Sequence, residues 1–214
     1  MKTEIVAGAD IGEHGDDFSV VTIGEHDIET GKYKMTNIYD WSKCDTMPTV
    51  GKILDIIDKH CAEKINVDAT GIGSGVCSRL QELKDERKHK CIVNAFKGGQ
   101  SPDNDAAKER FLNLKAQACW RLRELFEQSK ITIPKHNKLI NELNKMKWEL
   151  TSSKKIKICD PGTKEGDTAE QKSPDYFDSL AMAVWISGTP PLSFGLLNVT
   201  PEKNAKPKTG SVRL

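Results

Sequence analysis

Residues 5–10 read Ile-Val-Ala-Gly-Ala-Asp and residues 64–68 read Lys-Ile-Asn-Val-Asp, so that two short apolar runs each close on an aspartate, Asp10 and Asp68. Apolar runs of this length between turn residues predict buried β-strands. In open α/β sheets the functional site lies at the carboxyl ends of the strands. Asp10 and Asp68 are therefore the first candidate site residues of this chain.

The sequence around these two runs predicts a mixed α/β sheet. Short polar turns join the first three predicted strands, which makes them antiparallel, and amphipathic helices lead to the next two strands, which makes those parallel. In chain order the elements are strands at 5–10, 18–24 and 33–41, a helix at 49–60, a strand at 64–68, a helix from the glycine-rich segment 70–75 to about 84, and a strand at 91–96. Because such crossovers are right-handed, the first and fourth strands can lie side by side and bring Asp10 and Asp68 into one pocket.

The second half of the chain predicts helices and one hairpin, followed by a tail. Apolar residues spaced by three and four predict one long helix over residues 105–128, and two short apolar runs at 148–150 and 156–159 predict a β-hairpin. A last helix is expected over residues 174–187. We therefore expect one domain over residues 1–188 and a flexible tail over 189–214, where proline and lysine are frequent.

An acidic pair, Asp175 and Asp178, stands three residues apart at the start of the last predicted helix. Carboxylates that come together from distant parts of a chain are the ligands that hard divalent cations such as Mg²⁺ or Mn²⁺ prefer. Two such ions about 3.5–4 Å apart activate a water and stabilise the leaving oxygen in phosphodiester hydrolysis. In this hypothesis Asp10 is the central, bridging ligand, Asp68 binds one ion, and Asp175 or Asp178 completes the site.

Each candidate also has a purely structural interpretation. Asp10 could end a strand at a turn, Asp68 could cap the glycine-rich turn, and Asp175 could support a helix N-terminus. Weaker candidates are side chains for a water-mediated ligand or a phosphate contact and glycines for close backbone approach, each of which could equally serve a turn or a solvated surface: Glu13, Asp16, Asp17, Lys172, Gly71, Gly73 and Gly75.

Composition narrows the range of partners. The net charge of +1 over 214 residues predicts weak unaided binding to nucleic acid. The six cysteines form no C-x-x-C pair, which argues against a zinc site and a disulfide framework. No apolar run approaches the roughly 18 residues of a membrane span, so we expect no membrane partner and a cytoplasmic protein.

Four segments together resemble the C-terminal nuclease domain of the large terminase subunit of tailed bacteriophages, a ribonuclease H-like domain. They are GADIGEHGDDFSVVTIG at residues 8–24, INVDATGIGSGV at 65–76, the helix with Trp120 before ITIP at 131–134, and KSPDYFDSLAMA at 172–183. Each segment alone is weak, but their order and separation are fairly specific. The resemblance covers roughly residues 4–187.

This resemblance implies a metal-dependent DNA endonuclease that cuts concatemeric viral DNA during genome packaging, in the cytoplasm of the infected bacterial host. It implies Asp175 as the main third ligand, with Asp178 as a second ligand or as support for the helix. The implied partners are double-stranded DNA, the terminase ATPase domain, the small terminase subunit and the capsid portal. The chain has no G-x-x-x-x-G-K-[ST] segment, so it is expected to cut DNA but not to translocate it.

Three other functions remain open at this stage. A junction resolvase or a ribonuclease acting on hybrids would share the carboxylates but not the substrate. An actin-like nucleotide-binding fragment would share the opening Asp10-Ile11-Gly12, although it needs a second phosphate loop and a longer chain. A catalytically inactive module that only holds DNA would have no need of the acidic residues.

Overall fold

The computed structural model describes residues 2–12, 18–159 and 173–185, together with the backbone of residues 210–211. The strands are β1 (Thr3–Asp10), β2 (Phe18–Asp27), β3 (Tyr33–Ser42), β4 (Lys64–Asp68), β5 (Ile92–Phe96), β6 (Ile131–Thr132), β7 (Lys147–Leu150), β8 (Ile156–Cys159) and β9 (Gly210–Ser211). The helices are α1 (Thr46–Lys59), α2 (Gly73–Asp85), α3 (Asp105–Arg110), α4 (Leu114–Glu127), α5 (Asn137–Lys145) and α6 (Asp175–Ala183).

A six-stranded sheet in the order β5-β4-β1-β2-β3-β6 forms the centre of the molecule. The strands β1, β2 and β3 are antiparallel, whereas β4 runs parallel to β1 and β5 runs parallel to β4. The predicted mixed sheet is therefore confirmed, and β6 extends it at the outer edge of β3. Ala9 lies opposite Val67, so Asp10 and Asp68 follow one residue later on adjacent strands.

The strand β1 is buried on both faces because helices cover both sides of the sheet. Ala7 and Ala9 pack into a core with α1 and α2, while Val6 packs into a second core with α4, α5 and α6. Successive side chains of a strand point to opposite faces. Asp10 therefore shares the face of Val6 and points towards the side of the sheet on which α6 lies.

The strand β4 repeats this alternation. Ile65 and Val67 belong to the core with α1 and α2, which leaves Asn66 and Asp68 on the α6 face. The side-chain amide of Asn66 donates hydrogen bonds to the carbonyl oxygens of Met182 (2.7 Å) and Trp185 (2.8 Å). Asn66 thereby holds the C-terminal end of α6 and the residues that follow it against β4.

The prediction of one long helix over residues 105–128 was wrong, because the chain forms α3 and α4 with a break between them. Phe111 is extended (φ −114°, ψ 146°), and the amide of Leu112 donates to the carbonyl oxygen of Ile156 in β8 at 2.9 Å. The side chain of Asn113 then caps α4 by accepting a hydrogen bond from the amide of Ala116 at 2.9 Å. The apolar periodicity continues through this break, which is why the sequence pattern did not reveal it.

The predicted hairpin is present as β7 and β8, which pair in antiparallel fashion. It packs against α4 through Trp120 and Trp148, whose rings meet edge to face with centroids 5.4 Å apart. The backbone of β9 pairs with the other edge of β7. The last helix ends at Ala183 and is capped by Val184, so the predicted end near residue 187 was wrong. The rest of the predicted tail lies outside the described residues.

The helix α6 lies unusually close to β1 at Gly8. A Cβ atom added to Gly8 would stand 2.2 Å from the carbonyl oxygen of Ser179 and 2.3 Å from the amide nitrogen of Ala183. The hydroxyl of Ser179 donates a hydrogen bond of 3.0 Å to the carbonyl oxygen of Gly8 and lies within hydrogen-bonding distance, 2.9 Å, of the hydroxyl of Thr22. Because backbone lies against backbone here, no side chain fits between the helix and the strand.

Substituting alanine for Gly8 should therefore destabilise the domain. The added methyl group has to displace the backbone of α6, and we expect the free energy of unfolding to fall by about 3 kcal/mol, the upper range for overpacking a core. Urea denaturation measures this change. The matched control is Gly51→Ala in α1, where an added Cβ has nothing within 4 Å and should raise stability by about 0.5–1 kcal/mol. Equal stabilities of the two variants would contradict the close packing.

Candidate functional site

In the part of the chain that the structure describes, four aspartates lie around the point where α6 crosses the carboxyl ends of β1 and β4. Asp10 ends β1, Asp68 ends β4, and Asp175 and Asp178 lie in the first turn of α6. We call these four residues the aspartate cluster. The strands contribute one carboxylate each and the helix contributes two, so residues more than 160 positions apart in the sequence meet through the packing at Gly8.

Asp10 is buried and is repelled by the other three carboxylates of the aspartate cluster. Asp10 is only 8% exposed, and its pKa is raised well above the ordinary value, first by burial and then by repulsion from Asp178, Asp175 and Asp68. Lys115 acts in the opposite direction and lowers this pKa. Any positive charge added near Asp10 would stabilise the ionised form of its carboxylate.

Hydrogen bonds orient the other three members of the aspartate cluster. The carboxylate of Asp175 accepts a hydrogen bond from the amide of Phe18 at 3.0 Å, and that of Asp68 accepts one from the amide of Thr70 at 3.0 Å. Asp178 forms an ion pair with Lys115, with 2.8 Å between Oδ2 and Nζ. Asp175 is almost fully buried, whereas the Asp178 side chain retains 17% exposure and borders solvent.

The aspartate cluster suits a divalent cation in ligand type and in charge. Carboxylate oxygens are the donors that Mg²⁺ and Mn²⁺ take, and a cation would offset the repulsion that raises the pKa of Asp10. In residues 2–12, 18–159 and 173–185, however, no three Asp, Glu, His or Cys side chains are already arranged to hold a metal ion.

Glu142 is a site residue that the sequence did not reveal. The helix α6 begins after Pro174, which offers no side-chain cap, and Glu142 of α5 accepts hydrogen bonds from the amides of Phe177 (2.8 Å) and Tyr176 instead. Burial and, more weakly, repulsion from Asp175 and Asp178 raise the pKa of Glu142 to about 7, while these two hydrogen bonds act to lower it. Glu142 thus fixes the helix end that carries two members of the aspartate cluster.

Lys115 is the second residue that sequence reasoning missed. It stands in the first turn of α4, and the only local signal for its position is Asn113, which marks the start of that helix. An asparagine at this place is recognisable as a cap only when the helix is known to begin there. Because one continuous helix was predicted over residues 105–128, Asn113 was not recognised as a cap and Lys115 was not placed in a first turn.

The glycine-rich segment mainly serves the turn from β4 into α2. Gly71 has a positive φ of 53°, and a Cβ on Gly73 would stand 2.2 Å from the carbonyl oxygen of Asp68. Gly75 has only the Thr46 side chain near its would-be Cβ, at 3.8 Å. The remaining weaker candidates lie outside the described residues: Glu13, Asp16, Asp17 and Lys172.

Comparison of the sequence with known families assigns the chain to one of them. The model of the family described as "Terminase RNaseH-like domain" matches residues 7–185, which include the whole aspartate cluster. The chain belongs to the terminase RNase H-like domain family. No curated protein matches the chain.

The fold of this terminase domain is also that of solved phage proteins. The nuclease domain of the large terminase subunit of bacterial virus Sf6 has a TM-score of 0.66 at 17% identity, over 86% of this chain and 88% of that chain. A mutant form of that domain with manganese has a TM-score of 0.67 at 17% identity, with the same coverage. The large terminase nuclease of thermophilic phage G20c with bound magnesium has a TM-score of 0.56 at 19% identity, over 85% of this chain and 80% of that chain.

These matches confirm the resemblance inferred from the sequence segments and the ribonuclease H-like fold of this terminase domain.

Among the helices that the structure describes, none combines the length and the hydropathy needed to cross a membrane.

Replacing Glu142 tests its role at the start of α6 in this terminase domain. Glu142→Ala leaves two amide groups without their acceptor, so we expect the free energy of unfolding to fall by about 1–3 kcal/mol in urea denaturation. Glu142→Gln keeps an oxygen acceptor and should lose less. Glu109→Ala, at an exposed position of α3, is the control and should change stability by less than about 0.5 kcal/mol. A loss of stability in Glu109→Ala as large as in Glu142→Ala would argue against the capping role.

Proposed function

We propose that this domain is a DNA endonuclease that hydrolyses phosphodiester bonds with two divalent cations and cuts concatemeric viral DNA during genome packaging. The observation that carries the proposal is the burial of Asp10 among three further aspartates at the carboxyl ends of β1 and β4, in a member of a terminase family. A buried group of like charges costs stability, so it needs a compensating role such as cation binding.

The proposed cofactors are two Mg²⁺ or Mn²⁺ ions held by the aspartate cluster. When bound, such ions lower the pKa of a water and stabilise the leaving oxygen. Support comes from the donor set, which consists of hard carboxylate oxygens, and from the manganese and magnesium in the structures of similar nuclease domains.

The proposed roles of the residues follow from their positions. Asp10 would be the central, bridging ligand, because β1 lies next to β4, which ends on Asp68, and packs against α6, which carries the other two aspartates. Asp68 binds one ion from the neighbouring strand. Asp175 is the main third ligand, because its buried carboxylate is held by the amide of Phe18, and Asp178 is the outer ligand, because it borders solvent.

The proposed substrate is double-stranded DNA, cut with little sequence preference. The balanced charge of the chain offers few phosphate contacts at once, so unaided binding should be weak and should fall further with salt. Lysines outweigh arginines among the basic residues, and lysine contacts a phosphate as a point charge without reading bases. In a complete packaging motor the ATPase domain, the small terminase subunit and the capsid portal would supply the local concentration.

The first test of this function is its metal requirement. Millimolar Mn²⁺ or Mg²⁺ should support nicking and linearisation of plasmid DNA, and EDTA should abolish both. Mn²⁺ should also raise the melting temperature of the domain, because the cations relieve the repulsion within the aspartate cluster. Cleavage that survives chelation would contradict the two-ion proposal.

Faster cutting of four-way junctions or of RNA–DNA hybrids than of duplex DNA would favour a different ribonuclease H-like nuclease.

Substituting asparagine in the aspartate cluster tests the individual ligands. Asp10→Asn, Asp68→Asn and Asp175→Asn should each slow cleavage by about 100-fold or more, because each removes a ligand charge worth several kcal/mol in the transition state. Asp178→Asn should lose the same or less. Asp10→Asn should melt no lower than the wild type without metal, because it relieves repulsion. Asp55→Asn, exposed on α1 at the opposite face of the sheet, is the matched control and should cut normally. Wild-type cleavage by Asp68→Asn would remove Asp68 from the ligand set.

A further inference from the structure

Lys115 brings a positive charge to the outer edge of the aspartate cluster. Its Nζ lies 2.8 Å from Oδ2 of Asp178, and the two side chains are 26% and 17% exposed. The partners are 63 residues apart in the sequence, so the pair depends on the packing of α4 against α6. The ammonium group therefore offsets the charge of a cluster member that borders solvent.

The backbone around Lys115 is held by the loop that follows β5. The amide of Leu114 donates to the carbonyl oxygen of Gln100 at 2.8 Å, and the amide of Lys115 donates to that of Gly98 at 2.9 Å. A Cβ on Gly98 would stand 3.2 Å from Cβ of Lys115, so the loop packs tightly on the lysine stem. These contacts fix the base of the side chain. Because the loop carbonyls accept from these two helix amides, the amides are not available to an anion, whereas the ammonium group of Lys115 borders solvent.

A cavity of about 210 Å³ opens beside this ammonium group. Its walls include Asp68 and Asp178 of the aspartate cluster, Lys115, Thr70 and the loop glycines Gly98 and Gly99. A Cβ on Gly99 would meet nothing within 4 Å, so the wall is open at that point. The cavity thus joins two proposed metal ligands and one cation in a single space that borders solvent.

An ammonium group and a divalent cation cannot both stay in contact with the same carboxylate oxygen without strong mutual repulsion. A DNA phosphate carries one negative charge on two non-bridging oxygens, and lysine binds such groups as a compact charge. When a metal ion takes the oxygen of Asp178, a position that suits the ammonium group is therefore an anion in the adjoining cavity.

We infer that Lys115 acts as a substitute cation at Asp178 in the metal-free domain and contacts a non-bridging oxygen of the DNA phosphate at the cleavage site once a divalent cation binds there. This inference rests on the proposed nuclease function and adds a catalytic residue to it. In the first state Lys115 competes with metal, and in the second it stabilises the negative charge that develops on the phosphate.

The experiment combines Mn²⁺ binding by titration calorimetry with single-turnover cleavage of a duplex at saturating Mn²⁺, on the wild type, Lys115→Met and Lys115→Arg. Lys115→Met should bind Mn²⁺ about three- to fivefold more tightly, the upper part of the range expected when one partly exposed ion pair no longer competes. Its cleavage should be about 100-fold slower, as found when one electrostatic contact to a transition state is removed. Lys115→Arg keeps the charge and should remain within about tenfold of the wild-type cleavage rate.

The matched control is Lys108→Met. Lys108 forms an ion pair with Asp105 on α3 at the same distance of 2.8 Å and is 48% exposed, so its loss should leave both measurements within about twofold of the wild type. Wild-type cleavage by Lys115→Met at saturating Mn²⁺, or unchanged or weaker Mn²⁺ binding, would overturn the inference while leaving the proposed function intact. A wild-type protein that neither binds Mn²⁺ nor cuts DNA would overturn both.

Discussion

The contact between α6 and β1 at Gly8 is the constraint on which the candidate site depends. A helix can approach a strand this closely only where the strand has no side chain, and the hydroxyl of Ser179 fixes the approach by its bond to the Gly8 carbonyl. Both ends of the helix are held as well, by Glu142 at the start and by Asn66 at the end. Three separate parts of the chain therefore position one short helix, and that helix brings two carboxylates to two strand ends.

The result is a region in which packing and electrostatics oppose each other. Apolar side chains on both faces of β1 favour the close arrangement, whereas the aspartate cluster and Glu142 repel one another within it. The large apolar cores keep these like charges together in the absence of metal, and Lys115 offsets part of the repulsion at Asp178. Such a site is preorganised, because the free energy of folding, and not that of cation binding, brings the carboxylates together.

The sequence was enough to predict adjacent strand ends at Asp10 and Asp68, because both follow from period-two burial and right-handed crossovers, which are local or general rules. It was not enough for Glu142 and Lys115. Their partners are 35 and 63 residues away, and no periodicity relates a capping carboxylate on one helix to the amides of another. The break before α4 was not predicted for a related reason. Its cause is a hydrogen bond to β8, which a helical pattern read along one segment does not contain.

The placement of Gly8 between Ala7 and Ala9 also bears on how the chain selects its strand pairing. A shift of β1 by one residue would put an alanine methyl group where α6 touches the backbone, and it would turn the Asp10 carboxylate into the apolar layer formed with α1 and α2. Both errors are costly, and they arise together. The hexapeptide at residues 5–10 therefore specifies one strand register, since a sheet shifted by one residue is destabilised both by steric overlap and by burial of a charge.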